Sequence, residues 1–170
     1  MYMKRKITAA AVAVGAAALT AATLAAPADA ATAITTKTFR NASNTGLCLD
    51  ANASNGNVGP GASVTAWSCN GGGNQYWIVY DDGTIRNYAN QSLCLDANAG
   101  NGDVGNGANV TAWPCNGGRN QKWTIFGDGT IQNVSNTALC LDAAAPHGYV
   151  APGANVSAWR CNGGLNQKWF

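Results

Sequence analysis

From residue 38 onward, apolar and polar positions alternate in short runs. No stretch there holds the three- and four-residue apolar spacing of a helix long enough to form one. In Leu47-Cys48-Leu49-Asp50 the two leucines fall on one face of an extended strand, with Cys48 and Asp50 on the other. In Val64-Thr65-Ala66-Trp67-Ser68-Cys69 the same alternation sends Val64 and Ala66 inward and leaves Thr65, Trp67 and Cys69 outward. Residues 75–80 and 84–87 read as two more strands joined through Asp82-Gly83, a hairpin signal. Gly and Asn interrupt the chain too often for helices of ordinary length.

This four-strand pattern, at 47–50, 64–69, 75–80 and 84–87, repeats. Each landmark recurs 46 residues on: Cys48, Cys94 and Cys140; Trp67, Trp113 and Trp159; Trp77, Trp123 and Trp169. A fixed period of this length marks one supersecondary unit built three times. A strand of the fourth type, at 38–41, precedes the first copy, and the third copy stops after its third strand. Twelve short strands are therefore expected, with the N-terminal strand supplying the piece that the last unit lacks. The predicted fold is all-β, a β-trefoil whose N- and C-terminal strands close the barrel and leave few exposed sheet edges.

The N-terminus carries a different pattern. Lys4, Arg5 and Lys6 precede an Ala/Val-rich run, and Ala28-Asp29-Ala30 offers small residues for cleavage. Residues 1–30 are expected to be a secretory signal peptide, 31–37 a flexible lead and 38–170 the folded domain. After residue 30, seven Lys/Arg balance seven Asp, and Glu is absent. That neutrality gives no basic patch for nucleic acid, and membrane insertion is not expected. The six cysteines of an exported domain form three disulfides, and among fifteen possible pairings the repeat selects Cys48–Cys69, Cys94–Cys115 and Cys140–Cys161. Each should stabilise by roughly 3 kcal/mol on the loop-entropy account. The cysteine spacing and the single His147 do not suit a metal, so neither metal nor cofactor is expected.

Two tryptophan classes follow. Trp77, Trp123 and Trp169 share a face with Gln75, Gln121 and Gln167, a set expected in the core with the amides serving buried backbone groups. Trp67, Trp113 and Trp159 face outward. If Cys48 and Cys69 stand opposite each other, stepping two residues along each strand sets Asp50 opposite Trp67. An indole with a carboxylate and an amide suits a sugar: the C–H face of the ring stacks on the indole, and the polar groups take its hydroxyls.

Cys-Leu-Asp, Trp-x-Cys-Asn-Gly-Gly and Asn-Gln-x-Trp, three times over, resemble the ricin B-chain-type β-trefoil lectins, also called carbohydrate-binding module family 13, with their triple QxW signature. The resemblance implies one sugar site per lobe. These would be Asp50, Trp67 and Asn74; Asp96, Trp113 and Asn120; and Asp142, Trp159 and Asn166, with Gln75, Gln121 and Gln167 bracing the aspartates. Where many members carry Gln two residues before the aromatic, this chain has Thr65, Thr111 or Ser157. The third copy also has Ala144 in place of Asn52 and Asn98, and it alone has His147 and Tyr149. The expected function is a secreted, non-catalytic, monomeric lectin that binds galactose- or xylose-type glycans or polysaccharides through up to three shallow sites. The rivals are a protein-binding or inhibitory trefoil acting through one loop, and an accessory module of a glycoside hydrolase. Intrinsic catalysis is not expected, because Asp50, Asp96 and Asp142 repeat, Asp82 and Asp128 sit in matching turns, Asp81 and Asp103 are unpaired, and the lone histidine has no repeated serine partner.

Overall fold

The computed structural model describes residues 30–53, 56–99 and 103–170. Except for Ala30, the expected signal peptide lies outside the described residues. The strands are β1 (Ala33–Thr38) and β2 (Arg40–Asn41), followed in the first repeat by β3 (Asn44–Ala51), β4 (Ala62–Ser68), β5 (Tyr76–Tyr80) and β6 (Ile85–Asn87). The second repeat contributes β7 (Leu93–Ala97), β8 (Ala108–Pro114), β9 (Trp123–Ile125) and β10 (Ile131–Asn133), and the third β11 (Leu139–Ala143) and β12 (Ala154–Arg160). A single 3₁₀ turn stands before the third strand position of each lobe: Gly73–Gln75, Arg119–Gln121 and Leu165–Gln167. Among the described residues no helix is long and apolar enough to cross a membrane.

The expected trefoil is present. The alternating residues make its core, with Leu47, Leu49, Val64, Ala66 and Trp77 buried together with their counterparts in the other two lobes. Phe39, Ile85 and Ile131 occupy one equivalent core position each, all fully buried. Strands β4, β8 and β12 bind the lobes into a ring. The start of β4 pairs with the end of β8 (Ala62 with Ala112), the end of β4 with the start of β12 (Ala66 with Ala154), and the end of β12 with the start of β8 (Ala158 with Ala108). Alanine at these crossings lets the three backbones approach closely.

The ends meet as expected. The backbone N–H of Arg40 donates to Phe170 O at 2.7 Å and that of Phe170 to Arg40 O at 2.9 Å. Buried Asn41 donates from Nδ2 to Asn166 O at 3.0 Å, as Asn87 does to Asn74 O and Asn133 to Asn120 O. The N-terminal segment thus completes the last lobe with the same contact that the other two make internally.

Three expectations need correction. The segment 31–37, expected as a flexible lead, is mostly β1, which lies antiparallel to β5 with Thr36 opposite Ile78 and Lys37 opposite Trp77. Its Ile and Thr residues favour extended backbone, and β5 offers an edge to pair with. Twelve strands are assigned among the described residues, but β1 is one of them, and the last strand of the third lobe shrinks to bridges at Lys168 and Trp169. Finally, Cys48 stands opposite Trp67 rather than Cys69, and Asp50 opposite Thr65. Cys69, whose N–H donates to Gly46 O, joins Cys48 across a diagonal with Cα atoms 5.1 Å apart. The twist of a two-stranded ribbon shortens one diagonal relative to the other. The three expected disulfides form.

Candidate functional site

The same diagonal that joins the cysteines brings Asp50 toward Trp67, because Asp50 pairs with Thr65 and Trp67 lies two residues further along. Asp50, Trp67 and Asn74 therefore line one cleft of about 460 Å³. Asp96, Trp113 and Asn120 line a second of about 450 Å³, and Asp142, Trp159 and Asn166 a third of about 810 Å³. The indoles of Trp67, Trp113 and Trp159 are 48%, 47% and 46% exposed, so each cleft has an open aromatic wall.

The opposite wall is held from beneath. Cys48 and Asp50, on the strand face expected to point outward, are buried, because the 3₁₀ turn packs over that face. The turn delivers Gln75, whose Nε2 donates to Asp50 Oδ2 at 2.7 Å and to Ser68 O at 3.0 Å, while its Oε1 accepts from Asn70 N–H at 2.9 Å. Gln121 and Gln167 repeat these contacts on Asp96 and Asp142. The glutamines lie behind the clefts, and their contact is to the aspartates. One step earlier, Asn120 Nδ2 donates to Asp96 Oδ1 and Asn166 Nδ2 to Asp142 Oδ2, both at 3.0 Å. Asn74 Nδ2 donates to Ala51 O at 3.2 Å.

This setting governs charge. Burial pushes all three carboxyls above the ordinary aspartate value of 3.8, and the Gln and Asn amides hold them partly back. Surface Asp128 differs: its ion pair with Lys168 and the Thr130 N–H hold it down to about 2.

Several contributors escaped the sequence reading. Gly61 lines the second cleft, Gly107 the third and Gly153 the first, so each is walled by a loop from a different lobe. These glycines have φ of +83° to +86°, and a Cβ on any of them would come within 3.1–3.3 Å of the indole of Trp113, Trp159 or Trp67. The loops after Asp50, Asp96 and Asp142 therefore buttress the neighbouring lobe's tryptophan. Asn70, Asn116 and Asn162 also line the clefts, and their side chains close the Asn-Gly-Gly turn onto Gly72, Gly118 and Gly164. A Cβ on Gly72 would lie 2.5 Å from Asn74 Oδ1, so the second glycine of the motif makes room for the site asparagine. The signals were present, since both glycine sets and the asparagine recur at the 46-residue period.

Comparison of the sequence with curated proteins gives no match. Solved structures do match. The designed threefold symmetric protein ThreeFoil is 29% identical with a TM-score of 0.66, covering 79% of this chain and 95% of its own. The β-trefoil lectin of the Vibrio vulnificus hemolysin/cytolysin, solved with N-acetyl-D-lactosamine, is 28% identical at a TM-score of 0.62, covering 79% of this chain and 91% of its own. The C-terminal half of the earthworm R-type lectin, solved with GalNAc, is 25% identical at 0.62, covering 79% and 95%. Some other matches are longer proteins of which this chain spans less than half. The ricin-type beta-trefoil lectin domain matches over residues 35–169, taking in all three clefts and the strands that build them, and the chain belongs to that family.

Proposed function

We propose that the protein is a secreted, non-catalytic lectin whose three clefts each bind one sugar residue of a galactose- or xylose-type glycan or polysaccharide. The observation that carries this reading is the threefold recurrence of a half-exposed indole facing a buried, amide-braced carboxylate. The indole stacks on the apolar face of the sugar, the Asp accepts from two vicinal hydroxyls, and Asn74, Asn120 or Asn166 fixes its orientation. The sugars bound in two of the similar structures, GalNAc and N-acetyl-D-lactosamine, contain a galactose-configured ring, which supports the galactose class. Three disulfides suit an oxidising, extracellular setting.

Charge-assisted hydrogen bonds worth about 1.5–3 kcal/mol each, less ordering and desolvation, leave a shallow site near the millimolar level, about −4 kcal/mol. Engaging a polymer at several lobes raises apparent affinity by about 10²–10⁴. The test is an array of galactose- and xylose-containing glycans probed with wild type and with the triple variant Asp50→Asn, Asp96→Asn, Asp142→Asn. The variant preserves side-chain shape and keeps an acceptor for each glutamine. Binding by the wild type and loss in the variant are expected. No glycan bound by the wild type overturns the carbohydrate reading, and undiminished binding by the variant overturns the site assignment.

A further inference from the structure

The three clefts share one scaffold but not one lining. At the residue two beyond the site aspartate, lobes 1 and 2 carry Asn52 and Asn98, and lobe 3 carries Ala144. At the first residue of the 3₁₀ turn the series is Gly73, Arg119, Leu165. Arg119 is tied back by its bond from Nη2 to Val134 O at 3.0 Å, whereas Leu165 stands 63% exposed. An isolated exposed leucine is ordinary on a protein surface. Here it lines the same cavity as Ala144, Ala145 and Pro146, and that cavity, at about 810 Å³, is the largest of the three. The polar end differs from that of lobe 2. Both amides of lobe 3 converge on Asp142 Oδ2, and among the described residues Oδ1 accepts no hydrogen bond from the protein. No unpartnered side-chain oxygen or nitrogen is buried among those residues, so Oδ1 is open to a ligand hydroxyl. In lobe 2 each oxygen of Asp96 takes one amide, Asn120 at Oδ1 and Gln121 at Oδ2, and keeps a lone pair. In lobe 1 Gln75 donates to Asp50 at Oδ2, as in lobe 3, so it is the apolar shelf that sets lobe 3 apart.

From this juxtaposition of a free carboxylate oxygen and an apolar shelf in one cavity, we infer that lobe 3 is a subsite for glycosides bearing an apolar substituent, such as an aryl aglycone, next to the sugar. The inference rests on the carbohydrate reading and specifies the ligand class of one lobe. The sugar ring occupies Trp159 and Asp142, as in the other lobes, and the substituent lies over Ala144, Pro146 and Leu165. An unsubstituted sugar leaves that shelf in water, and a free aromatic compound leaves the carboxylate unused. Only a ligand with both parts fills the cavity, and removing the apolar face of a phenyl group from water there strengthens binding about tenfold.

The test follows the indole N–H resonances of Trp67, Trp113 and Trp159 by NMR while the protein is titrated with methyl and phenyl β-galactosides, methyl and phenyl β-xylosides, and phenol. The expected result is a phenyl glycoside about tenfold tighter than its methyl counterpart at Trp159, with a ratio near one at Trp67 and Trp113. That advantage at Trp159 should fall to near one in Ala144→Asn/Leu165→Gly, which installs the residues of lobe 1. Equal ratios in all three lobes, an advantage that survives the double variant, or phenol binding at Trp159 as tightly as the phenyl glycoside would each overturn the inference. Methyl glycosides that shift the indoles without any phenyl advantage overturn it while leaving the carbohydrate reading intact. Silence of every glycoside at all three indoles, together with an empty glycan array, overturns both.

Discussion

Each repeat contains two tryptophans ten residues apart in sequence, and they do opposite work. Trp77, Trp123 and Trp169 are at most 3% exposed, and each donates its indole N–H to a backbone carbonyl of the first strand: Leu49, Leu95 or Leu141, at 2.8–2.9 Å. Trp67, Trp113 and Trp159 are nearly half exposed and rest an edge on a glycine of another lobe. Residue type does not separate them. What does is the face on which strand alternation places each indole, and whether its N–H finds a protein partner. A buried indole needs that bond, because a donor taken out of water unpaired costs about 1–3 kcal/mol. A half-exposed one can leave it to solvent and offer its ring to a ligand.

Truncation of the two classes should break the comparison most sharply. In Trp123→Ala the core loses its largest side chain in that lobe and the Leu95 carbonyl its indole donor, so stability should fall by about 3–5 kcal/mol. Denaturant unfolding measures this. A loss below about 1 kcal/mol would mean that the lobe collapses around the gap and that the core indole is replaceable.

How far the chain could be read in advance follows the same division between local and global. Alternation and the 46-residue period are local properties, so the buried leucines, the two tryptophan classes, the disulfides and the trefoil were legible. Closure was legible too, because residues 38–41 match the fourth strand of the repeat, the one that the third copy lacks. The register of β3 and β4 was not: alternation fixes which face a residue takes but not its partner, and taking the disulfide as directly cross-strand displaced the pairing by two residues. Asp50 still reaches Trp67 because both pairs lie on the same diagonal. Segment 31–37 looked structureless because it has no counterpart in the repeat, and its order comes from β5, more than forty residues on. The buttressing by Gly61, Gly107 and Gly153 was equally hidden, since a contact between lobes exists only once the ring is closed. At the site, Asp50, Trp67 and Asn74 line one cleft, but alternation pointed the Asp50 carboxylate outward and held no sign that it would be buried.

Truncating the surface class gives the smaller effect. Trp113→Ala should shift stability by no more than about 0.5–1 kcal/mol, since the indole is 47% exposed and its inner contact is to Gly61. Sugar binding at lobe 2 should weaken up to about tenfold with the loss of the stacking surface, an aromatic contact of about 0.5–1.5 kcal/mol. Lobes 1 and 3 should keep their affinity in a lobe-resolved NMR titration. A stability loss comparable to that of Trp123→Ala would remove the distinction between the two classes.

Acid separates scaffold from site most gently, because it changes only protons. The folded-state pKa values of Asp50, Asp96 and Asp142 are raised by burial, so folding favours their protonated forms. Their contribution to stability is then full below 3.8 and is lost as pH rises through the raised folded values. Asp82 and Asp128 run the other way: their pKa values are lowered, so their contribution is present above 3.8 and is lost as pH falls through the lowered values. Between neutrality and 3.8 the three buried aspartates therefore dominate, and acidification over that window should raise thermal stability slightly. Over the same window it should weaken sugar binding, because a protonated Asp presents one fewer acceptor and no charge. Opposite slopes of melting temperature and affinity against pH are thus expected, with the binding midpoint above 3.8. In the triple Asp→Asn variant the stability slope in that window should vanish. A midpoint at or below 3.8 would show that the carboxylates are better solvated than their depth beneath the tryptophans implies, and that the scaffold exerts no hold on the charge of the site.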